Sequence, residues 1–276
     1  VINAAKIRQA REMKLERVLS GFFAFLSSAA ATSATGADLK DWKVSASANF
    51  ETGNYGSSNR TETWYLPVTV KKNVSSDAFF SVTMPYVSQT GDSSVSTVDG
   101  SPFKIKQSTG VVATNSGLGD LVLRGGYNLI TENQNAPFDL ALTGKLKVPT
   151  ADDSKGLGTG EFDAGAGLEF AKILPSGFTG YLDLYYTSIG DPSGLDLDDR
   201  VFFDIGFSRS LDPMWTVSAF YEESNTLVKN ATNIRDLMVN FEYKADERTR
   251  VFFGGTLGFT ETSPDYGVTV GASFLL

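Results

Sequence analysis

Charged residues in the middle of the chain occupy alternate positions within apolar stretches, and this spacing limits the chemistry they could perform. Side chains two positions apart project from the same face of a β-strand. A face that mixes acids and bases predicts either a constriction that selects solutes by charge or a salt-bridged network that fills a narrow interior. Both interpretations remain open at this stage. The residues concerned are Arg124, Lys145, Lys147, Asp163, Glu169, Asp183 and Asp204.

The composition excludes several classes of chemistry. The chain has no cysteine and no histidine, so it can form neither a disulfide, nor a thiolate metal site, nor a Ser–His–acid hydrolase triad. A paired-carboxylate mechanism using Asp163 or Asp183 is the remaining catalytic alternative, and nothing in the sequence distinguishes those two residues. We therefore predict that the protein is not an enzyme and uses no cofactor.

An acid-rich stretch from Asp191 to Asp199 is a weak candidate for a divalent-cation site. Its carboxylates at Asp196, Asp198 and Asp199 are of the type that hard cations prefer. The stretch lacks the full Asp-x-Asp-x-Asp-Gly spacing of a calcium loop, so a solvated loop is the favoured interpretation. No metal is predicted.

The elements that position these residues are twelve segments in which apolar residues recur with a period of two. They begin after Asp38 and include Phe138–Val148 and Tyr266–Leu276. The apolar positions carry no charge, and most segments approach the roughly 9–11 residues that a tilted membrane strand needs. The pattern predicts an all-β fold, namely a transmembrane antiparallel up-and-down β-barrel of about 12 strands.

The predicted connections alternate between short turns and longer loops, as the periplasmic and extracellular ends of such a barrel do. With twelve strands, both ends of the barrel domain lie on the short-turn side. The longest connection is Ser88–Gly117. Loops of this length are usually functional or disordered, and the sequence leaves open whether this one enters the lumen or stays on the surface.

The start of the chain has the order of a secretory signal: basic residues, an apolar core and then small residues. We predict a start at Met13 and cleavage after Ala37, with cleavage after Ala34 as an alternative. Residues 1–12 would then be an upstream segment, or else an amphipathic helix of the fold. Residues 38–276 form the single barrel domain. This domain has 19 Lys+Arg and 30 Asp+Glu, a net charge of −11, which argues against nucleic-acid binding.

Three short motifs in the middle of the chain carry a resemblance to a known family. They are Gly117–Asp120, Gly144–Thr150 and Gly156–Asp163, and their order and spacing resemble those of the outer-membrane family labelled phenol-degradation meta-pathway proteins. The resemblance implies an outer-membrane barrel that moves small molecules, aromatic ones among them. It implies no particular substrate and no catalytic residue.

The sequence therefore favours a channel in the outer membrane of a Gram-negative bacterium for passive passage of small solutes, including aromatic or hydrophobic compounds. The alternative is a structural or surface-interaction barrel that acts through its extracellular loops. The expected partners are the outer-membrane lipid bilayer and small-molecule solutes, without nucleic acid. The sequence does not indicate the oligomeric state.

Overall fold

The computed structural model describes residues 42–98, 100–107, 110–132, 136–175 and 177–276. The upstream segment and signal peptide predicted for residues 1–37 lie outside these ranges. The strands among the described residues are β1 Trp42–Gly53, β2 Thr61–Asn73, β3 Ala78–Asp92, β4 Val95–Val98, β5 Ser101–Lys104, β6 Val112–Leu118, β7 Leu121–Ile130, β8 Asp139–Val148, β9 Asp163–Ile173, β10 Phe178–Ser188, β11 Arg200–Ser210, β12 Trp215–Ser224, β13 Ile234–Lys244, β14 Thr249–Gly258 and β15 Tyr266–Leu275.

The main sheet closes on itself as an antiparallel barrel. From β7 to β15 each strand pairs with the next in the chain, β1 pairs with β2 and β2 with β3, and β15 pairs with β1 from Lys43–Leu275 to Thr52–Tyr266. Strands β6 and β7 share one place in the wall, so the ring has twelve places. The predicted twelve-stranded up-and-down barrel is confirmed.

The sequence predicts a long loop at Ser88–Gly117, but most of this range forms strands. Strand β3 continues to Asp92, where its outer half pairs with β6, while its inner half pairs with β7. The two partners are separated at Gly119 and Asp120. Strand β6 was missed because its sequence, Val-Ala-Thr-Asn-Ser-Gly-Leu, alternates only weakly. Between β3 and β6 lies a small hairpin made of β4 and β5.

The outer face of the barrel is apolar, as the period of two predicts. Exposed aliphatic side chains occur around the ring, for example Val68 at 48%, Leu184 at 50% and Val270 at 54%. In a bilayer these side chains face lipid instead of water. Within the described ranges, no helical segment combines the length and the hydropathy of a membrane span.

Aromatic rings on the inner face lie against glycines of the neighbouring strand, in the space that a Cβ would fill. A Cβ placed on Gly126 would stand 2.2 Å from the Phe79 ring, and one on Gly206 would stand 2.1 Å from the Phe220 ring. The same arrangement joins Gly167 to Tyr185 and Gly271 to Phe252. Because each glycine leaves room for a ring, the rings are held along the wall.

The pair Gly126 and Phe79 can be tested against a neighbouring glycine of the same strand. Gly126→Ala forces the Phe79 ring to move and should cost about 1–3 kcal/mol of folding free energy, as overpacking generally does. Gly125→Ala is the matched control, because its Cβ would meet only the Phe79 carbonyl oxygen at 3.6 Å. Urea titration of the barrel refolded into lipid vesicles measures both. Equal stability of the two variants would contradict the ring-on-glycine arrangement.

Candidate functional site

The structure places all seven charged residues singled out from the sequence on the inner face. Arg124, Lys147, Asp163, Glu169, Asp183 and Asp204 are buried there, and Lys145 is half-buried. They lie at different depths along the wall. Lys147 and Asp163 belong to an ionic cluster near the end of the barrel that carries the longer loops, the extracellular end in the orientation predicted from the sequence, whereas Arg124 and Glu169 lie nearer the middle of the barrel.

The extracellular cluster, here called the ionic anchor, is centred on the fully buried ammonium of Lys147. Its Nζ lies 2.8 Å from Oδ2 of Asp163 and 3.3 Å from Oδ2 of Asp120, and it donates to Oγ1 of Thr159 at 2.8 Å. The anchor also fixes backbone outside the strands. Asp163 accepts from the Gly190 amide at 2.9 Å, and Asp120 accepts from the Ala151 amide at 3.0 Å.

The ionic anchor explains the three motifs found in the sequence. Asp120 ends the first motif, Lys147 lies within the second, and Thr159 and Asp163 lie within the third. The motifs therefore supply the parts of one buried ion network that ties the extracellular loops to the wall. For Lys147 and Asp163, the geometry favours the salt-bridged alternative over a charge filter.

The mid-barrel group combines Glu169 with residues that the sequence did not single out. The Tyr185 hydroxyl donates a short hydrogen bond to Glu169 and lies 3.4 Å from Oγ1 of Thr143. Lys71 lies with its Nζ 4.0 Å from the Phe79 ring centroid, and it interacts electrostatically with Glu169 and Arg124. Alternation along β2 places Lys71 on the inner face, so this residue could have been found from the sequence by extending the pattern one residue beyond Val70.

The hairpin of β4 and β5, here called the cap, is buried among the extracellular loops. Val98 and Phe103 are 1% and 3% exposed and pack with Ile189, Leu197 and Leu227. These three partners come from the loops after β10 and β12, so the cap forms a small core with them.

Polar contacts join the cap to two further loops. Ser96 donates to the carbonyl oxygens of Gly156 and Gly158 at 3.1 and 3.0 Å, and Lys104 donates to the Gly56 carbonyl at 2.7 Å. Arg200 lies with its guanidinium carbon 5.2 Å from the Phe103 ring centroid. The cap therefore contacts loops on several sides of the mouth.

The carboxylates of the acid-rich stretch from Asp191 to Asp199 contact different partners instead of meeting at one point. Asp196 pairs with Lys229 at 2.5 Å, whereas Asp199 accepts from the Tyr186 hydroxyl and from the Ile189 amide at 3.0 Å. The hydrogen bond from Tyr186 lowers the pKa of Asp199 below its ordinary value. The Asp198 amide donates to the Leu227 carbonyl at 2.8 Å. Among the described residues, no three His, Cys, Asp or Glu side chains are grouped so that they could hold a metal ion.

The ionic anchor predicts a large difference between two lysines. Lys147→Met leaves the carboxylates of Asp163 and Asp120 buried without their ammonium, which should cost about 3–5 kcal/mol of folding free energy. Lys155→Met is the matched control, because the exposed Lys155–Asp152 pair at 3.0 Å should contribute about 0–1 kcal/mol. Urea titration in vesicles measures the free energy of unfolding of both variants. A loss for Lys147→Met as small as that for Lys155→Met would show that the buried ammonium is dispensable.

Solved structures share this fold at low sequence identity. The crystal structure of the COG4313 outer membrane channel from Pseudomonas putida F1 is 13% identical, with a TM-score of 0.64, covering 87% of this chain and 97% of that chain. The NanC porin is 8% identical, with a TM-score of 0.56, covering 84% and 100%. The translocator domain of the autotransporter NalP from Neisseria meningitidis is 10% identical, with a TM-score of 0.53, covering 98% and 96%.

The sequence itself gives the family. No curated protein matches this chain. Residues 52–276 match the family described as "Putative MetA-pathway of phenol degradation", a range that contains the ionic anchor, the cap and most of the wall. The chain belongs to that family.

Proposed function

We propose that the protein is an outer-membrane channel for passive passage of small solutes, including aromatic or hydrophobic compounds. The observation that carries the proposal is the inner wall, where aromatic rings lie on glycines beside charged and hydroxyl side chains. Such a surface offers a solute both π-faces and polar groups. Twelve strands lie between the filled eight-stranded interior and the open channel of larger barrels.

The proposed location rests on the apolar outer face and on the signal segment predicted for residues 1–37. Two proteins with the same fold are named as an outer membrane channel and a porin, which supports a channel over an enzyme. Within this proposal Arg124, Lys145, Glu169, Asp183 and Asp204 line the path of the solute, while Lys147 and Asp163 hold the wall around it.

The cap provides a test that separates the channel from the surface-interaction alternative. The Ile105 amide donates to the Ser94 carbonyl at 2.9 Å, so residues 95–104 can be replaced by an Asn-Gly turn without stretching the chain. Removing the cap takes Val98 and Phe103 out of the mouth. We expect a larger single-channel conductance in planar bilayers and faster uptake of benzyl alcohol into vesicles.

The control for cap removal is Val111→Ser in the same connection, where Val111 is exposed and the change should leave conductance as in the parent. Conductance steps that do not change on cap removal would place the cap outside the solute path and leave it a surface-interaction role. A complete lack of conductance in both proteins would contradict the channel itself.

A further inference from the structure

Basic residues of the inner face form a row across the first strands of the barrel. Lys43 on β1 stands directly opposite Lys71 on β2, and Lys71 stands opposite Ser81 on β3. Ser81 is opposite Arg124 on β7, which is opposite Lys145 on β8. Directly opposed residues have Cβ atoms about 4.5–5.5 Å apart. Four of the five positions in this basic row carry a positive charge.

Acidic residues form a second row across the next five strands. The register pairs them directly from strand to strand, and each lies on the inner face. The acidic row runs Glu169 on β9, Asp183 on β10, Asp204 on β11, Glu222 on β12 and Asp236 on β13. Arg200, at the extracellular end of β11, lies near this row and interacts electrostatically with Glu222.

The acidic row is costly for folding. Like charges directly opposite each other on neighbouring strands are destabilising, and this row contains four such pairs in succession. A stable interior could be built by mixing the two signs around the wall. Within these two rows the bases lie on β1 to β8 and the acids on β9 to β13, so a molecule that enters the barrel has one sign of charge on each side.

The two rows face each other across the lumen. In the ring of twelve places, β2 and β11 are six places apart, so Lys71 and Asp204 come from diametrically opposite strands. Both rows climb along the axis because the strands are tilted, and they overlap in the middle of the barrel. There Lys71 interacts electrostatically with Glu169. The Tyr185 hydroxyl donates to the same carboxylate.

We propose that the two rows create a transverse electric field that favours dipolar solutes, meaning small molecules that carry an ammonium and a carboxylate at opposite ends. The ammonium is drawn toward the acidic row, and the carboxylate is drawn toward the basic row. Charged walls of low dielectric constant focus a field into the space between them. A solute with a single charge is attracted by one wall and repelled by the other. The inference rests on the proposed channel and specifies its solute class.

Four matched aromatic solutes test the inference in vesicles. They are 4-(aminomethyl)benzoate, 4-(aminomethyl)benzamide, 4-(hydroxymethyl)benzoate and 4-(hydroxymethyl)benzamide, which are dipolar, cationic, anionic and neutral at pH 7 and nearly equal in size. Uptake into vesicles with the protein, corrected for empty vesicles, should be about tenfold faster for the dipolar solute than for the neutral one, at the low end of field-assisted encounter.

Neutralising one row at a time provides the variants. Asp183→Asn with Asp204→Asn removes the centre of the acidic row, and Lys71→Gln with Arg124→Gln removes that of the basic row. Each should abolish the preference for the dipolar solute. Reversal potentials in a salt gradient give a second readout, which should shift toward anion selectivity in the first variant and toward cation selectivity in the second. Asn240→Ser, an inner-face change outside both rows, should keep the parent preference.

The outcomes separate the two proposals. Conductance and solute uptake without a preference for the dipolar compound would overturn the transverse field and leave the channel standing. A preference that survives neutralisation of both rows would also overturn it, because the selectivity would then come from other residues. Absence of any uptake or conductance in the parent protein would overturn the channel and the field together.

Discussion

The need to satisfy every backbone hydrogen bond inside a lipid bilayer determines the rest of this structure. Hydrocarbon offers no water to an unpaired N–H or C=O group, so a sheet can cross it only when its edges meet. Here the meeting edges are β1 and β15, paired from Lys43–Leu275 to Thr52–Tyr266. Once the ring is closed, alternate side chains must face lipid or the interior. The apolar outer face and the polar inner face follow from that closure.

Closure of the ring encloses an interior that side chains line and partly fill. Three sets of side-chain contacts do this at different depths. Aromatic rings seated on glycines such as Gly126 and Gly206 line the wall. Opposed charges occupy the middle, where Lys71 and Glu169 interact. Near the mouth, Lys147 holds the loops through buried carboxylates, and the cap packs among those loops. The wall carries its polar groups inward, where water or a solute can meet them.

The sequence predicted the barrel well because strand alternation is a local property, and alternation likewise assigns Arg124 and Asp204 to the polar face of their strands. It could not predict the partners of Lys147, because Asp120 and Asp163 reach it through strand register and loop path. The sequence likewise could not show that the members of the acidic row are neighbours. Successive members are 14 to 21 residues apart in the chain and are brought together only by the strand register. The cap was missed because its short, polar sequence finds its apolar partners in other loops.

The unequal lengths of the strands make the rim of the barrel uneven. Strand β3 has 15 residues and β14 has 10. At about 3.4 Å per residue and a tilt of about 40°, β3 rises about 39 Å, against about 25 Å for the apolar band of an outer-membrane barrel. The wall around β2, β3 and β6 therefore extends above the bilayer, whereas the wall near β14 ends close to the lipid head groups. A molecule that diffuses along the membrane surface therefore meets a low rim on the β14 side of the barrel and a high rim on the β3 side.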